Sequence, residues 1–452
     1  MKKGRIFFSS ITLLCFLSPL ALANGLNLNS LGTRALTMGG AFVGLADDFS
    51  AIYWNPAGIA QFDTKYFGFY GTDIIPANTY KLVPNIPGIG EFTLVDAETE
   101  RRHYLSGLAA CYYPVSENVV AGLGVYVPSG LGASWDGADF ANIANNNPSL
   151  EWRSKIGLLT IAPALAFKVS DKIYVGASLN INYGIFDVAM HAGQTEAPFP
   201  VVDLLQYEES MRGWGYGATL GILVKPIDML SLGATFRTSS TVKFSGDATI
   251  TGMSDLGTAL GMDLNRTSEL EREVTWPMWL GGGVAFKPME NLTLTADAQW
   301  TQWSKIDFIK TDYTDTYWKI MMSQSGDDER PMHWNDALQI RFGAEYRINT
   351  IAFRGGYYYD PSPAPDRTMN VLLPNYDFNV FTVGFGYALN GLQLDFGLEY
   401  FMAKERSVSY KVVSTFLPPF FDIRMDPDYA SAMPGTYDMK IIVPTISISY
   451  KF

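Results

Sequence analysis

Residues able to do chemistry are few in this chain and stand far apart. It has three histidines, His103, His191 and His333, and two cysteines, Cys15 and Cys111. Nucleophilic hydrolysis needs a nucleophile, a base and an orienting acid in mutual reach. No histidine here sits in a nucleophile motif, and His191 and His333 fall in segments that read as loops. The histidines and cysteines show no metal-ligand spacing. No Gly-x-x-x-x-Gly-Lys-Ser/Thr phosphate loop occurs. The acidic stretch Ser325-Gly326-Asp327-Asp328-Glu329 reads as a solvated loop. The expectation is a protein that is not an enzyme and needs no metal or cofactor. Binding chemistry remains open. Arg341 and Arg354 stand on polar rows of alternating segments. A guanidinium there can meet a ligand carboxylate or a neighbouring acid such as Glu345.

The elements that must position these groups begin after an export signal. Lys2, Lys3 and Arg5 form a basic start, Ile6 to Leu22 an apolar stretch, and Ala21-Leu22-Ala23 a small-x-small cleavage site. Residues 1–23 are therefore expected to be removed. That loses three positive charges and moves the net charge from -12 to -15. So acidic a chain is not expected to bind nucleic acid, whose phosphates need a basic face. Cys111 alone would remain, so no internal disulfide can form. Hydrophobic residues make up 48% of the chain, with 25 Tyr, 28 Phe and 10 Trp, yet mean hydropathy is only +0.05. After the signal no apolar run reaches the ~18 residues of a helical membrane span. A membrane chain without such spans has one other solution, a closed barrel of strands.

Periodicity supports strands. Leu338, Ile340, Phe342, Ala344 and Tyr346 alternate with Gln339, Arg341, Gly343, Glu345 and Arg347. Leu392, Leu394, Phe396, Leu398 and Tyr400 alternate with Gln393, Asp395, Gly397 and Glu399. A strand puts each set on one side. A membrane barrel turns the apolar set to lipid and the polar set to its lumen, with aromatic girdles at the interfaces. Trp300, Trp303, Tyr387, Tyr400 and Tyr450 suit such girdles, whereas a soluble β-protein would bury its apolar set. About fourteen strand-like segments are legible, near 66–73, 103–114, 118–128, 152–169, 172–187, 212–225, 229–245, 272–288, 291–307, 336–348, 351–360, 377–389, 391–407 and 439–452. Short and long connections alternate between them, as periplasmic turns and external loops do in outer-membrane barrels. The fold class expected is all-β, a fourteen-stranded antiparallel transmembrane barrel over 64–452. Tyr450-Lys451-Phe452 resembles the terminal aromatic signal read by the barrel-assembly machinery.

Residues 24–63 break the pattern. They are rich in Gly and Ala, and the stretch includes Leu26, Leu28, Gly39, Gly40, Phe42 and Asn55-Pro56-Ala57. So apolar a segment is expected to pack inside the barrel as a plug. Here the residues resemble a known family. Asn24-Gly25-Leu26-Asn27-Leu28-Asn29, Gly39-Gly40-Ala41, Ala46-Asp47-Asp48 and Asn55-Pro56-Ala57 are similar to the N-terminal hatch of the FadL long-chain fatty acid transporter family, which includes the TodX-type importers of aromatic hydrocarbons. Trp300-Thr301-Gln302-Trp303-Ser304, Arg354 to Asp360 with Pro361-Ser362-Pro363, and Pro374-Asn375-Tyr376-Asp377 resemble its late strands and loops.

The resemblance implies a hatch-closed barrel of the Gram-negative outer membrane that passes hydrophobic small molecules, long-chain fatty acids first among them. Passage would be passive and gated, with sideways release through an opening in the wall. It implies that Leu26 touches ligand, that Asn55, Pro56 and Ala57 pack near that opening, and that basic side chains meet the carboxylate. Arg341 and Arg354 are candidates for that contact by alternation only. Leu28, Gly39, Gly40 and Phe42 belong to the same hatch and pocket region. Phe416, Phe420 and Phe421 in an aromatic loop suit an outer landing groove. Implied partners are the ligand, outer-membrane lipid, lipopolysaccharide and the assembly machinery, with the chain a monomer. Alternatives at this stage are an importer of aromatic hydrocarbons and a general porin or structural barrel.

Overall fold

The computed structural model describes residues 25–452 except residue 30 and residues 87–89, 144–149, 193–204, 252–265, 410, 415–420 and 425–431. The export-signal reading falls outside the described residues.

Strict alternation of apolar and polar residues yields one closed sheet of fourteen antiparallel strands. They are β1 (Tyr66–Leu82), β2 (Tyr104–Ser116), β3 (Val119–Trp135), β4 (Trp152–Ser170), β5 (Ile173–Ala192) and β6 (Leu205–Ile227). Next come β7 (Leu230–Arg237, resuming as Ser240–Thr251), β8 (Thr267–Trp276, resuming as Trp279–Met289) and β9 (Leu292–Thr301, resuming as Phe308–Tyr313). The last five are β10 (Ala337–Ile348), β11 (Ile351–Asp360), β12 (Phe378–Leu389), β13 (Leu392–Ala403, resuming as Arg406–Val408) and β14 (Gly435–Lys451). The ring closes where β1 pairs with β14, from Tyr66 opposite Lys451 to Lys81 opposite Thr436. Closure gives the first and last strands a partner each, where lipid would penalise free edges heavily.

Facing follows parity. On β10, Leu338, Ile340, Phe342 and Tyr346 are exposed on the outer surface, while Gln339, Arg341 and Glu345 are buried at 1% exposure. Phe67, Phe69, Leu165, Trp214, Phe353 and Ile446 extend the outer apolar belt round the ring. A soluble protein rarely exposes so continuous an apolar surface, so this belt meets lipid. One end of the barrel has six two-residue turns, Glu117-Asn118, Asp171-Lys172, Asp228-Met229, Glu290-Asn291, Asn349-Thr350 and Asn390-Gly391. Asn390 and Gly391 have φ of 48° and 85°, the two left-handed residues of a tight hairpin turn. Short turns mark the periplasmic end.

Two features depart from expectation. Several strands overrun the expected loops, β1 to Leu82 and β6 from Leu205, because pairing continues above the bilayer. β9 is interrupted by a 3₁₀ turn at Trp303–Lys305. The turn breaks parity, and Trp303 points inward, fully buried against Trp334 with ring centroids 5.3 Å apart. It is not a girdle residue. Tyr387 and Tyr450 do face outward.

The N-terminal segment fills the lumen. Its elements are α1 (Thr33–Thr37), α2 (Ala51–Trp54) and a 3₁₀ turn, Pro56–Gln61. Thr33 Oγ1 lies 2.9 Å from Thr445 Oγ1 on β14, and the Gly39 amide donates to Thr382 Oγ1 on β12 at 3.1 Å. The Val43 amide donates to Asp297 Oδ2 on β9 at 2.7 Å, and Asn55 Nδ2 donates to the Ile222 carbonyl on β6 at 3.0 Å. Only a segment inside the ring can reach strands so far apart around it. Close seating requires bare backbone on the wall. A Cβ at Gly356 of β11 would meet the Met38 carbonyl carbon at 2.5 Å and Gly39 Cα at 2.7 Å.

Gly356→Val should therefore push the segment off the wall while the barrel, whose outer face is unchanged, still assembles. Single-channel conductance in planar bilayers should rise well above that of the parent protein. Unchanged conductance in an assembled barrel would show that the segment is not seated as described.

Candidate functional site

The inner polar rows are spoken for by the N-terminal segment. Arg34 of α1 donates through Nε to Glu345 Oε2 at 2.8 Å and through Nη2 to Oε1 at 3.1 Å, and it also pairs with Asp47. Glu345 further accepts from Arg354 Nε at 2.6 Å, and Arg354 Nη1 reaches Asp395 Oδ1 at 2.7 Å. Burial opposes the charge on Arg34, but Asp47 and Glu345 outweigh it and hold the guanidinium well above its ordinary value. Burial likewise opposes charge on Asp47, and Arg34 and Lys287 together more than offset it, so that carboxyl lies below its ordinary value. Removing one partner of so buried a pair typically costs 3–5 kcal/mol. This network pins α1 to the wall.

Beside the first residues of the segment lies an apolar cavity of about 390 Å³, within the size range of small-molecule sites. Asn27, Leu28 and Asn29 form one side, Tyr70 and Ile74 of β1 and Ile156 and Leu158 of β4 the next, and Tyr376, Phe378, Phe401 and Met439 the far side. Its lining includes Leu105 and Leu159, which are exposed on the outer face. The cavity therefore reaches through the wall.

The reason lies in β3. Register with β4 shifts between Tyr126 and Ser129, at Val127-Pro128. Proline cannot donate to a ladder and marks bulges. Pairing of β2 with β3 extends only from Ser116 opposite Val119 to Leu108 opposite Tyr126. Beyond that, Tyr104 to Gly107 stay with β1 while Ser129 to Trp135 stay with β4. The two strands part, and a gap opens between Tyr104–Gly107 and Val127–Gly130. The orphaned β3 backbone is served from inside. The Leu28 amide donates to the Pro128 carbonyl at 2.9 Å, and the Leu26 carbonyl accepts from Ser129 Oγ at 2.5 Å and from the Gly130 amide at 3.2 Å. The N-terminal segment thus replaces β2 as a partner of β3 at the gap. A Cβ at Gly130 would have nothing within 4 Å.

A second cavity, about 490 Å³, lies toward the loop end between β5, β6, β8, β9 and α3 (Thr316–Ser325). Tyr207, Tyr313, Arg272 and Arg330 border it, with Arg272 held by Glu209 at 2.6 Å. Leu373 touches this outer cavity and Pro374 to Tyr376 the inner one, so one connection separates them.

The sequence-derived residues divide. Leu28 lines the inner cavity. Leu26 is buried in the core cluster containing Trp303 and Trp334 and holds the gap through its carbonyl. Phe42 packs within the segment's own core, under Arg34 at 5.6 Å. Gly39 and Gly40 both have φ of 64°, and a Cβ on Gly39 would meet the Tyr357 amide at 2.9 Å. They form a seated turn and line neither cavity. Asn55, Pro56 and Ala57 lie against Gly176 and Gly221 of β5 and β6, near the short-turn end. That corrects their expected place beside the opening, because the parting strands are β2 and β3. Arg341 donates to the Asn29 carbonyl at 3.0 Å and the Gly39 carbonyl at 3.3 Å. Neither Arg341 nor Arg354 lines either cavity; both brace the segment. Phe416 and Phe420 lie outside the described residues, and of Phe421 only the backbone, in the short strand Phe421–Arg424, is described. The gap itself was missed, although Pro128 followed by Gly130 and Gly132 signals a broken strand.

With the geometry in place, comparison with known proteins assigns the lineage. The family model described as outer membrane protein transport protein (OMPP1/FadL/TodX) matches residues 14–452. The chain belongs to this family. It is an outer-membrane transporter of hydrophobic substrates. Relatives include outer membrane protein P1 of Haemophilus influenzae, 21% identical over 84% of this chain and 86% of its own length. The long-chain fatty acid transport protein of Escherichia coli O6:H1 is 22% identical over 85% and 88%. A Pseudomonas aeruginosa FadL homologue superposes with TM-score 0.75, at 18% identity, covering 95% of this chain and 100% of that one. The Ralstonia pickettii toluene transporter TbuX gives 0.68 at 18% identity, covering 94% and 99%. At those identities the solved structures bear on the fold alone.

One carboxyl in the segment is poorly placed for charge. Burial pushes Asp48 up to about 6, against lowering by Arg34 and by the hydrogen bonds of Ser50. A raised acid favours the folded state only while protonated, so its burden is absent below pH ~4, grows through pH 4 to 6 and is complete above. The shift corresponds to about 3 kcal/mol. Asp48→Asn keeps the oxygen that accepts from the Ser50 amide and hydroxyl. In guanidinium unfolding in detergent it should be more stable than the parent at pH 8 and equal to it at pH 4. Equal stability at both would refute the assignment.

Proposed function

We propose that the chain carries long-chain fatty acids passively across the outer leaflet boundary, by way of the apolar inner cavity and out through the gap between β2 and β3. The observation that supports this most directly is the continuity of that cavity from the lumen to lipid-facing Leu105 and Leu159. An acyl chain gains about 0.8 kcal/mol for each CH₂ buried. It gains nothing from a watery pore but much from a cavity that ends in lipid. In this reading residues 24–63 are the hatch, 64–452 the barrel, and 1–23 a removed signal. Gating is a small displacement of residues 26–29, of which Asn27, Leu28 and Asn29 line the cavity while Leu26 and Leu28 bond to β3 at the gap. Ligand would enter from the outer cavity past the connection around Leu373, and the barrel would work as a monomer.

A second reading has its own support. The inner cavity is bordered by Tyr70, Tyr104, Tyr376, Phe378 and Phe401, rings that suit an aromatic hydrocarbon. The relative named as a fatty acid transporter favours the first reading.

Uptake of labelled oleate and labelled toluene should be measured side by side in a host without its own importer. Oleate uptake is expected, and Leu158→Trp, which fills the inner cavity from β4, should lower it about tenfold or more with barrel assembly intact. Toluene uptake without oleate uptake would replace the first reading with the second. Uptake of neither would remove both.

A further inference from the structure

The few charges on the otherwise apolar inner cavity are unevenly placed. Its lining includes two carboxylates, Asp360 and Glu399, both on the lumen side. Asp360 accepts from Asn29 and from Gln339 Nε2, and Glu399 accepts from the Tyr358 hydroxyl at 2.7 Å. The lining includes one cation, Lys155, on the outer row of β4 at the gap. Lys155 stands opposite Gly132 in the β3–β4 register, and the side chain that packs over Gly132 from across the gap is the uncharged ring of Tyr104.

Most other charges near this rim are paired, with exposed Arg101 the exception. Asp187, the cross-strand neighbour of Lys155 on β5, is held by Arg212 through both oxygens, at 2.5 and 3.2 Å. Arg153 lies 2.7 Å from Glu151 and 3.8 Å from Glu208. On the β2 side Arg102 pairs with Glu100 and His103 with Asp73. Among the described residues no carboxylate oxygen lies within 4.0 Å of Lys155 Nζ. An exposed ammonium at a lipid-facing gap, with Asp187, Glu151 and Glu100 each already held by an arginine, has room for an anion from outside the chain.

We infer that Lys155 receives the acid head of a fatty acid at the side opening, so that an anionic amphiphile lies tail-inward and head-outward. This rests on the fatty-acid reading above and names what selects the acid. Asp360 and Glu399 disfavour a carboxylate at the inner end, while Ile156, Leu158 and Phe401 accept the tail there. Leu105 and Leu159 at the gap are apolar, and the charged row of Arg102, His103, Arg153 and Lys155 lies immediately toward the loop end. The head therefore sits at the boundary between lipid and water, where a lysine stem lies along apolar surface and its ammonium stays hydrated. A neutral hydrocarbon would take no benefit from this residue.

The test compares oleate with oleyl alcohol, which has the same tail and no charge. Uptake as a function of concentration would be measured for the parent, Lys155→Ala, Lys155→Arg and Lys155→Glu in a host without its own importer. Assembly would be checked by heat-modifiable gel mobility. Loss of one charge-assisted contact should lower oleate uptake about five- to tenfold in Lys155→Ala and more in Lys155→Glu. Lys155→Arg should retain it, and oleyl alcohol uptake should not change. Unchanged oleate uptake in Lys155→Ala, or an equal fall for both molecules, would overturn the assignment while leaving the fatty-acid reading in place. A parent protein that carries neither molecule would overturn the reading and the inference together.

Discussion

Every other feature of this molecule follows from the need to pair backbone groups in lipid. Fourteen strands satisfy that need by closing β1 on β14. Among the described residues the ladder is broken where β8 and β9 separate around the Trp303–Lys305 turn and where β2 and β3 part above Tyr126, and the second break adjoins the inner cavity. An unpaired stretch of wall in a membrane is costly, and here the cost is offset from inside. The Leu28 amide and Leu26 carbonyl bond to Pro128, Ser129 and Gly130. The break in β3 creates the opening, and the N-terminal segment braces it from inside. Cavity, gap and segment are thus one mechanical unit.

The same segment explains why the lumen is not a pore. Polar inward rows suggest water, yet here they bind protein. Glu345 takes Arg34, Asp297 takes the Val43 amide, Thr382 takes the Gly39 amide and Asn55 reaches the β6 backbone. Where backbone must lie directly on the wall, the wall carries glycine, as at Gly356 and Gly176. The apolar space that reaches the lipid-facing wall lies beside residues 27–29.

How much of this was legible in the sequence depended on range. Strand number, the short turns and the facing of β10 and β13 were readable, because period-2 alternation and turn chemistry are local. Asn390-Gly391 announces its own turn. Trp303 was misassigned because a three-residue helical turn reversed parity, and parity carries no memory across such a break. The roles of Arg341 and Arg354 were ambiguous for a different reason. A lumenal arginine reads alike whether it faces ligand or a neighbouring segment, and only three-dimensional contact with Asn29, Gly39 and Glu345 separates the two. The inner cavity was illegible, since Leu28, Leu158, Tyr376 and Phe401 come from separate segments spread along the chain. The gap had a local sign, Pro128 with Gly130, but its meaning required knowing which strands lay on either side.

The central claim is that passage is sideways, with the body of the segment staying in place. Thr33 and Thr445 have side-chain oxygens 2.9 Å apart, which suits a disulfide between α1 and β14. The measurement is oleate uptake by Thr33→Cys/Thr445→Cys in a Cys111→Ser background, oxidised and then reduced. A sideways path predicts equal uptake in both states, because residues 26–29 remain free to move. Uptake that appears only after reduction would mean that the segment must leave the lumen, and the path would be axial.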